Sequence, residues 1–408
     1  MPHLPELLAP AGDREQLDAA LRYGADAVYL GGPALNLRAG TRGFTGDALI
    51  SAVRDAHARN AAVYYCLNVL PREEHLPAII DELERLPDAG VDALIVADPG
   101  VVLLARRHCP SLPLHLSTQA NTANSAAVAF WRDMGVTRVN LARELDMRTM
   151  RRLVESSPGM EFEAFVHGAQ CLALSGRCLL SAWLNNRSAN LGACTHPCRF
   201  EYKGVALAVE EKTRPGEVAW EVVEDGPFHS SFWAPQDLCL VRYAHWFARV
   251  GMAALKVEGR MKSGGYVAQV VDVYRTAIDD VARRTSRGDD YIFELLNCAS
   301  RPLTTGFFLG GGRRCHRGLP HDAVRHPLVV RVEAPAGDGA WHVSVRSPWK
   351  ATSIAEVLLP GMRRPELLPG TYRLENHRGE TVDRLHPGMA GVLHCASADI
   401  GPGIYIRA

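Results

Sequence analysis

Between Glu163 and Cys198 the chain reads EAFVHGAQCLALSGRCLLSAWLNNRSANLGACTHPC, with four of its ten cysteines in one short window. An apolar run ending at Phe165-Val166-His167-Gly168 has the character of a strand that stops abruptly. Cys171 and Cys178 follow it, and Cys194 and Cys198 come after a loop rich in Asn, Arg and Gly. Cys239 lies further on, at the predicted start of a helix in PQDLC. Thiolates gathered on a loop at a strand end are donors for a metal or iron–sulfur centre. Structural zinc favours CxxC knuckles, and neither Cys171-x6-Cys178 nor Cys194-x3-Cys198 has that spacing. Irregular spacing suits a [4Fe–4S] cluster, which needs four thiolates, so five candidates compete for four places. Cys66, Cys109, Cys298, Cys315 and Cys395 are scattered and read as packing residues.

The elements that must position these thiols alternate regularly. Predicted strands at Glu6–Ala9, Ala27–Leu30, Ala62–Leu67, Ala93–Val96, Leu114–Leu116, Arg138–Leu141, Glu161–Val166 and Ala254–Val257 are separated by helical patterns. Those patterns include Arg14–Tyr23, Asp47–Asn60, Ser125–Met134, Met147–Ser156, Asp237–Val250 and Tyr266–Arg284. Eight strands alternating with helices over roughly 250 residues predict a closed (β/α)8 TIM-like barrel, an α/β fold. The turn after the first strand, Pro10-Ala11-Gly12-Asp13, is not the GxGxxG of an open dinucleotide-binding sheet. Residues 1–300 are assigned to the barrel, with the cysteine-rich insertion at about 168–240. A Gly/Arg-rich linker spans 301–325, and a small all-β, barrel-like domain spans 326–408, where short strands alternate with turn formers.

A parallel barrel carries its reacting groups on the loops after its strands. Those strand ends hold Asn36, Arg38 and Arg42; Asn68 and Arg72; Asp98; Ser117 to Asn121, including Gln119; Asn140, Arg143 and Glu144; His167; and Lys256, Glu258, Arg260 and Lys262. Arginine binds carboxylate and phosphate through a two-pronged donor, so a small anion, a carboxylate, is the expected ligand. Each residue also has a plainer reading. Asp98 before Pro99 would start a helix, His167 would be a satisfied buried histidine, and Glu258 and Arg260 would pair with each other.

Composition narrows the class. The 408 residues carry 45 Lys and Arg against 45 Asp and Glu, so no net positive field draws in polyanions at long range. MPHLPELLAPAGD lacks the basic and apolar regions of a secretory signal, and no apolar segment is long enough to span a bilayer. A cytoplasmic location is the expectation, and there clustered cysteines read as metal-binding or redox-active rather than as disulfides. No HExxH, GxSxG or P-loop pattern is present.

The stretch Glu163-x-Phe165-x2-Gly168-Ala169-x-Cys171-x4-Gly176-x-Cys178-x-Leu180-Ser181 resembles the signature of the collagenase-like peptidase family of unknown catalytic type. ELLAPAGD, HLSTQANTAN and KVEGRMKS resemble further blocks of that family, and Gln170 departs from its preference for an aliphatic residue. The resemblance implies a barrel holding a [4Fe–4S] cluster that hydroxylates without molecular oxygen, with prephenate as the oxygen source in the RNA-modifying branches. By position it gives the ligands as Cys171, Cys178, Cys194 and Cys239, with Cys198 as the alternative fourth. The extra β domain and Thr304-Thr305-Gly306-Phe307-Phe308 resemble the branch that hydroxylates tRNA uridine.

The expectation is therefore a tRNA uridine 5-hydroxylation enzyme, with Arg38, Asn68, Gln119, Arg143 and Arg260 binding substrate and His167 or Glu258 moving protons. Arg313, Arg314, Arg317, Arg325, Arg363 and Arg364 are candidates for phosphate contacts. Three alternatives stand beside it: hydroxylation of a ubiquinone precursor with a related partner subunit, the peptidase activity of the family's name, and a zinc-stabilised RNA-binding factor.

Overall fold

Apolar runs of three to six residues, bounded by turn formers, set the strands of this protein. β2 (Ala27–Leu30) and β4 (Ala93–Val96) are buried at every position, as parallel strands covered on both faces must be. A computed structural model describes residues 4–38, 42–171, 173–174, 177–178, 180–185, 187–199, 236–310 and 326–408, and the backbone of four short strands between 209 and 231. Together with β1 (Glu6–Pro10), β3 (Ala62–Leu67), β5 (Leu114–Leu116), β6 (Val136–Asn140), β7 (Glu161–Ala169) and β8 (Ala254–Val257), the strands pair in parallel around a ring. β8 closes it, pairing Leu255 with Ala164 of β7 and with Leu7 of β1.

Helices on the outside return the chain between strands, and short polar caps start most of them. Asp13 accepts from the Gln16 N–H to begin α1 (Arg14–Arg22). Asp98 does the same from Gly100 and Val101 for α4 (Pro99–His108), so it is a cap, as the plainer reading held. Asn124 and Asp146 cap α5 (Ser125–Asp133) and α6 (Met147–Ser156). α2 (Gly46–His57) and α3 (Leu76–Ala89) complete the first half. One wall of the barrel interior is apolar, built from Leu8, Ala27, Ala93 and Ile95 beside Tyr29, Tyr64 and Cys66. Below the site the interior is charged and paired: Lys256 Nζ lies 2.7 Å from Glu163, and Arg138 bridges Glu6 and Glu161.

Two segments differ from the sequence reading. Residues 237–250 were expected as one helix. Asp237–Cys239 is instead a short strand, because β7 runs past the barrel wall and offers an edge; it pairs there antiparallel, Asp237 with Ala169 and Cys239 with His167. A helix begins only at α8 (Ala244–Val250); α7 is the short Leu180–Asn185 helix of the cysteine loop. The segment from 301, read as linker, opens with Leu303–Thr304 in parallel pairing with Asp237–Leu238. Phe308 then packs on Trp246 and Phe247, with ring centroids 5.0 and 5.3 Å apart.

The C-terminal strands β9 (Leu328–Gly337), β10 (Ala340–Val345), β11 (Ala355–Leu358), β12 (Tyr372–Asn376), β13 (Ala390–Cys395) and β14 (Tyr405–Arg407) form an antiparallel sheet with its own core around Trp349, Leu374 and Ile406. It docks on the side of the barrel against α1 and α9 (Gly264–Ala282). Asp272 of α9 accepts from the backbone N–H of Gly361 and Met362 and from Arg364. Arg407 joins the same cluster through Glu294 of α10 (Asp290–Leu296). Arg364 is thus committed to this interface and is not available to phosphate. Arg363 is exposed, while Arg313, Arg314, Arg317 and Arg325 lie outside the described residues. Among the described residues, no helix is long and apolar enough to cross a membrane.

Candidate functional site

The carboxyl ends of the strands surround a cavity of about 390 Å³, roofed by the cysteine loop. Close packing beneath it depends on two glycines. A Cβ on Gly12, in the turn after β1, would stand 2.1 Å from the Arg260 carbonyl oxygen; Gly168, at φ +102°, brings β7 beneath the Glu258 backbone. These approaches draw the end of β7, the turn after β8 and the start of α1 together, and so fix where Glu258 and Arg260 point.

Arg38, Asn68, Gln119, Arg143, Glu258 and Arg260, all read from strand ends, line the cavity. Arg42 is exposed and Arg72 pairs weakly with Glu74 on the surface; neither lines it. Glu258 is not paired with Arg260 as expected. Its two carboxylate oxygens lie 3.0 Å from Arg38 and 3.6 Å from Arg143. Burial alone would raise its pKa, but Arg38, Arg143 and Arg260 outweigh burial and hold it down to about 2. Such a carboxylate has no proton to give at neutral pH and is a weak base. Glu258 therefore positions guanidinium groups rather than moving protons.

Arg143 is fixed further by a bond to the Ala169 carbonyl and by the Phe165 ring, 3.8 Å from its guanidinium carbon. Arg260 is different. It is 5 % exposed, its guanidinium lies 5.5 Å from the Tyr29 ring, and it makes no side-chain hydrogen bond or salt bridge among the described residues. Its charge acts on Glu258 through space without a direct ion pair, so its N–H groups remain free to donate to an anion in the cavity. Tyr29, Cys66 and Phe165 also line the cavity and were not read as site residues; their inward strand positions were the available signal.

His167 does not line the cavity. Its ring is buried against Tyr274 and Tyr266, with Nδ1 3.5 Å from the Tyr274 hydroxyl. Burial, and then Lys262, push its pKa down to about 3, so it stays neutral. This placement matches the plainer reading of a buried histidine.

Besides Cys66 on β3, four cysteines of the loop after β7 line the cavity: Cys171, Cys178, Cys194 and Cys198. These four are free thiols, Cys171 exposed and the others half-buried. The Cys178 sulfur accepts from the Leu180 N–H at 3.3 Å and the Cys194 sulfur from the His196 N–H at 3.4 Å. Backbone N–H donors aimed at sulfur stabilise thiolate, as iron–sulfur ligation requires. Cys239 sits elsewhere, 1 % exposed in the barrel core, where burial pushes its thiol up to about 11. The placement therefore favours Cys198 over Cys239 for the fourth position. Among the described residues, no three His, Cys, Asp or Glu side chains are gathered closely enough to hold a single metal ion. By the chemistry of the donor set, four free thiols on one cavity, these residues suit a thiolate-bound cluster.

A family model described as Peptidase family U32 matches residues 12–317. The chain is 37 % identical over 338 residues to "tRNA hydroxylation protein P" of Escherichia coli (strain K12), covering 74 % of each chain. It is 40 % identical over 312 residues to "tRNA hydroxylation protein P1" of Bacillus subtilis (strain 168), covering 75 % of this chain and 71 % of that one. It is also 30 % identical over 344 residues to "Collagenase" of Porphyromonas gingivalis (strain ATCC BAA-308 / W83), covering 80 % and 78 %.

Proposed function

The chain belongs to peptidase family U32, and on that premise we propose that it is an RNA-modifying enzyme that hydroxylates carbon 5 of a tRNA uridine. Prephenate supplies the oxygen and a [4Fe–4S] cluster is the cofactor. The names of the relatives at 37 % and 40 % identity support RNA hydroxylation. The observation that carries the finer reading is the convergence of four loop thiols and three guanidinium groups on one cavity.

Cys171, Cys178, Cys194 and Cys198 would hold the cluster, which when bound supplies the electron transfer that an oxygen-independent hydroxylation needs. Arg260 offers the unpaired charge and binds a carboxylate of prephenate through its two-pronged face. Glu258 keeps Arg38 and Arg143 aimed along the same wall and cancels part of their charge, so that the anion is held without being trapped. Lys256 is neutralised by Glu163 and adds little net charge to the floor. The cysteine loop roofs the cavity and restricts water, which strengthens each of these contacts.

Among the described residues lining the cavity, Glu258 is too weak a base to activate a nucleophile for peptide hydrolysis. The reaction is placed in the cytoplasm with its RNA substrate. Nucleoside mass spectrometry of tRNA from a deletion strain tests the proposal. Loss of 5-hydroxyuridine derivatives, restored by the gene, is the expected result; unchanged levels in a strain without a second family member refute it.

A further inference from the structure

We propose that Gln119 and Asn140 form a reader for the Watson–Crick edge of a pyrimidine base drawn into the cavity. This assignment rests on the RNA-hydroxylating reading above and adds the residues that recognise the base.

The two amides sit on neighbouring strand ends. Gln119 is in the turn after β5 and Asn140 ends β6, and these strands pair directly, Leu116 beside Val139. Both line the cavity. Gln119 is 5 % exposed and Asn140 is 3 % exposed. Gln119 Oε1 and Asn140 Oδ1 are buried with no hydrogen-bond partner, and neither side-chain nitrogen has one among the described residues. Buried polar groups are almost always paired, so two unpaired amide oxygens on neighbouring strand ends are a costly arrangement.

The chemistry of the missing partner follows from the donor and acceptor inventory. The anion-binding groups, Arg143 and Arg260, lie on the same cavity wall system and offer only donors. An amide offers one acceptor beside one donor. The uracil edge presents the N3–H between two carbonyl oxygens, so one amide can pair its oxygen with the N3–H while the flanking carbonyls accept from the amide NH2 groups; a carboxylate, which only accepts, would offer a donor to neither amide oxygen. With no internal partner fixing them, both amides can turn to present carbonyl and amino group in either order. Enzymes that modify a base take it out of the stack and read this edge by hydrogen bonds. The stacked pair of Arg143 and Phe165 lines the same cavity and offers a planar face for the ring.

The test uses the anaerobically purified full-length protein and an RNA stem-loop centred on the uridine that loses its hydroxyl in the deletion strain. A second stem-loop carries 3-methyluridine there, which replaces the N3–H with a methyl group. Binding is read by fluorescence anisotropy. The unmethylated RNA should bind about 10- to 100-fold more tightly, the range for leaving buried hydrogen-bonding groups unpaired. In Gln119→Leu and Asn140→Leu variants with unchanged melting temperature, that preference should shrink to within about threefold. Equal binding of the two RNAs by the wild-type protein, or no binding of either, overturns the assignment and needs no variant. A deletion strain that keeps every hydroxylated uridine overturns the functional reading itself, and this assignment with it.

Discussion

Glu258 is the negative charge around which the cationic wall is organised, so Glu258→Gln is the sharpest perturbation of the site. The substitution keeps shape, removes the charge and turns one of two acceptor oxygens into a donor facing a guanidinium. The carboxylate is 12 % exposed and its pKa is held at about 2 against an ordinary 4.5. That difference corresponds to about 3 kcal/mol favouring the ionised form in the folded state. A glutamine imitates the protonated form and should lose most of it. For a cooperative unit of roughly 300 residues, at about 2.1 cal/mol/K per residue, about 3 kcal/mol lowers the melting temperature by about 5 °C. The pH dependence has a fixed sign. A depressed folded pKa gives stability that is complete above the unfolded value and is lost as pH falls toward the folded one. The gap between wild type and variant should hold from pH 7 to pH 5, then shrink from about 3 kcal/mol at pH 4.5 to about 2 kcal/mol at pH 3.5. Scanning calorimetry of both proteins across this range measures it. A variant melting within 1 °C of wild type at pH 7, or a gap that widens on acidification, refutes the account of Glu258 as the counter-charge of Arg38 and Arg143.

Cys198→Ser should lose bound iron on anaerobic purification while Cys239→Ser retains it, read by iron and sulfide content; the reverse pattern would return the fourth ligand to Cys239. Arg260→Gln removes the one cavity guanidinium that lacks an internal partner and should raise the half-saturating prephenate concentration about 10- to 100-fold, the range for a charged hydrogen bond. An unchanged value, measured by tRNA hydroxylation in vitro, would show that the acid binds elsewhere. Asp272→Asn breaks a nearly fully buried anchor between α9 and the C-terminal sheet. It should cost about 1–3 kcal/mol, because Arg364 keeps Glu294 while it and two backbone N–H groups lose a charged acceptor, and it should speed tryptic cleavage between barrel and sheet; a proteolysis rate equal to wild type would show that the remaining contacts suffice.

Most barrel strands were legible in the sequence because local signals agree. Ala27–Leu30, Ala62–Leu67, Ala93–Val96 and Ala254–Val257 are apolar runs cut off sharply by turn or capping residues, and their ends coincide with the observed ones. Once the strands are known, the rule that a parallel barrel presents its chemistry at their carboxyl ends leads to Arg38, Asn68, Gln119, Arg143, Glu258 and Arg260 without knowledge of any contact. Pairing among those residues was not legible. Glu258 lies two residues from Arg260 in sequence, yet its partners are Arg38, 220 residues away, and Arg143. Local spacing says nothing about which guanidinium a carboxylate meets across a closed ring.

The short strand that carries Cys239 was missed for the same reason. Three residues cannot display a period, so Asp237–Cys239 takes its state from the edge that β7 offers and not from its own sequence. Reading it as a helix start put its thiol on the loop side of the sheet. As a strand paired with His167, it is drawn into the core beside Tyr274, where its proton is retained. Cys198 is held by no sheet; it lies on the loop that roofs the cavity, with Cys171, Cys178 and Cys194 on the same wall. A thiol in the barrel core must be desolvated to ionise, whereas the four loop thiols border a cavity that also holds Arg38, Arg143 and Arg260. The strand-end rule that locates the anion site therefore also separates the cavity thiols from the packed one, once the short strand is recognised.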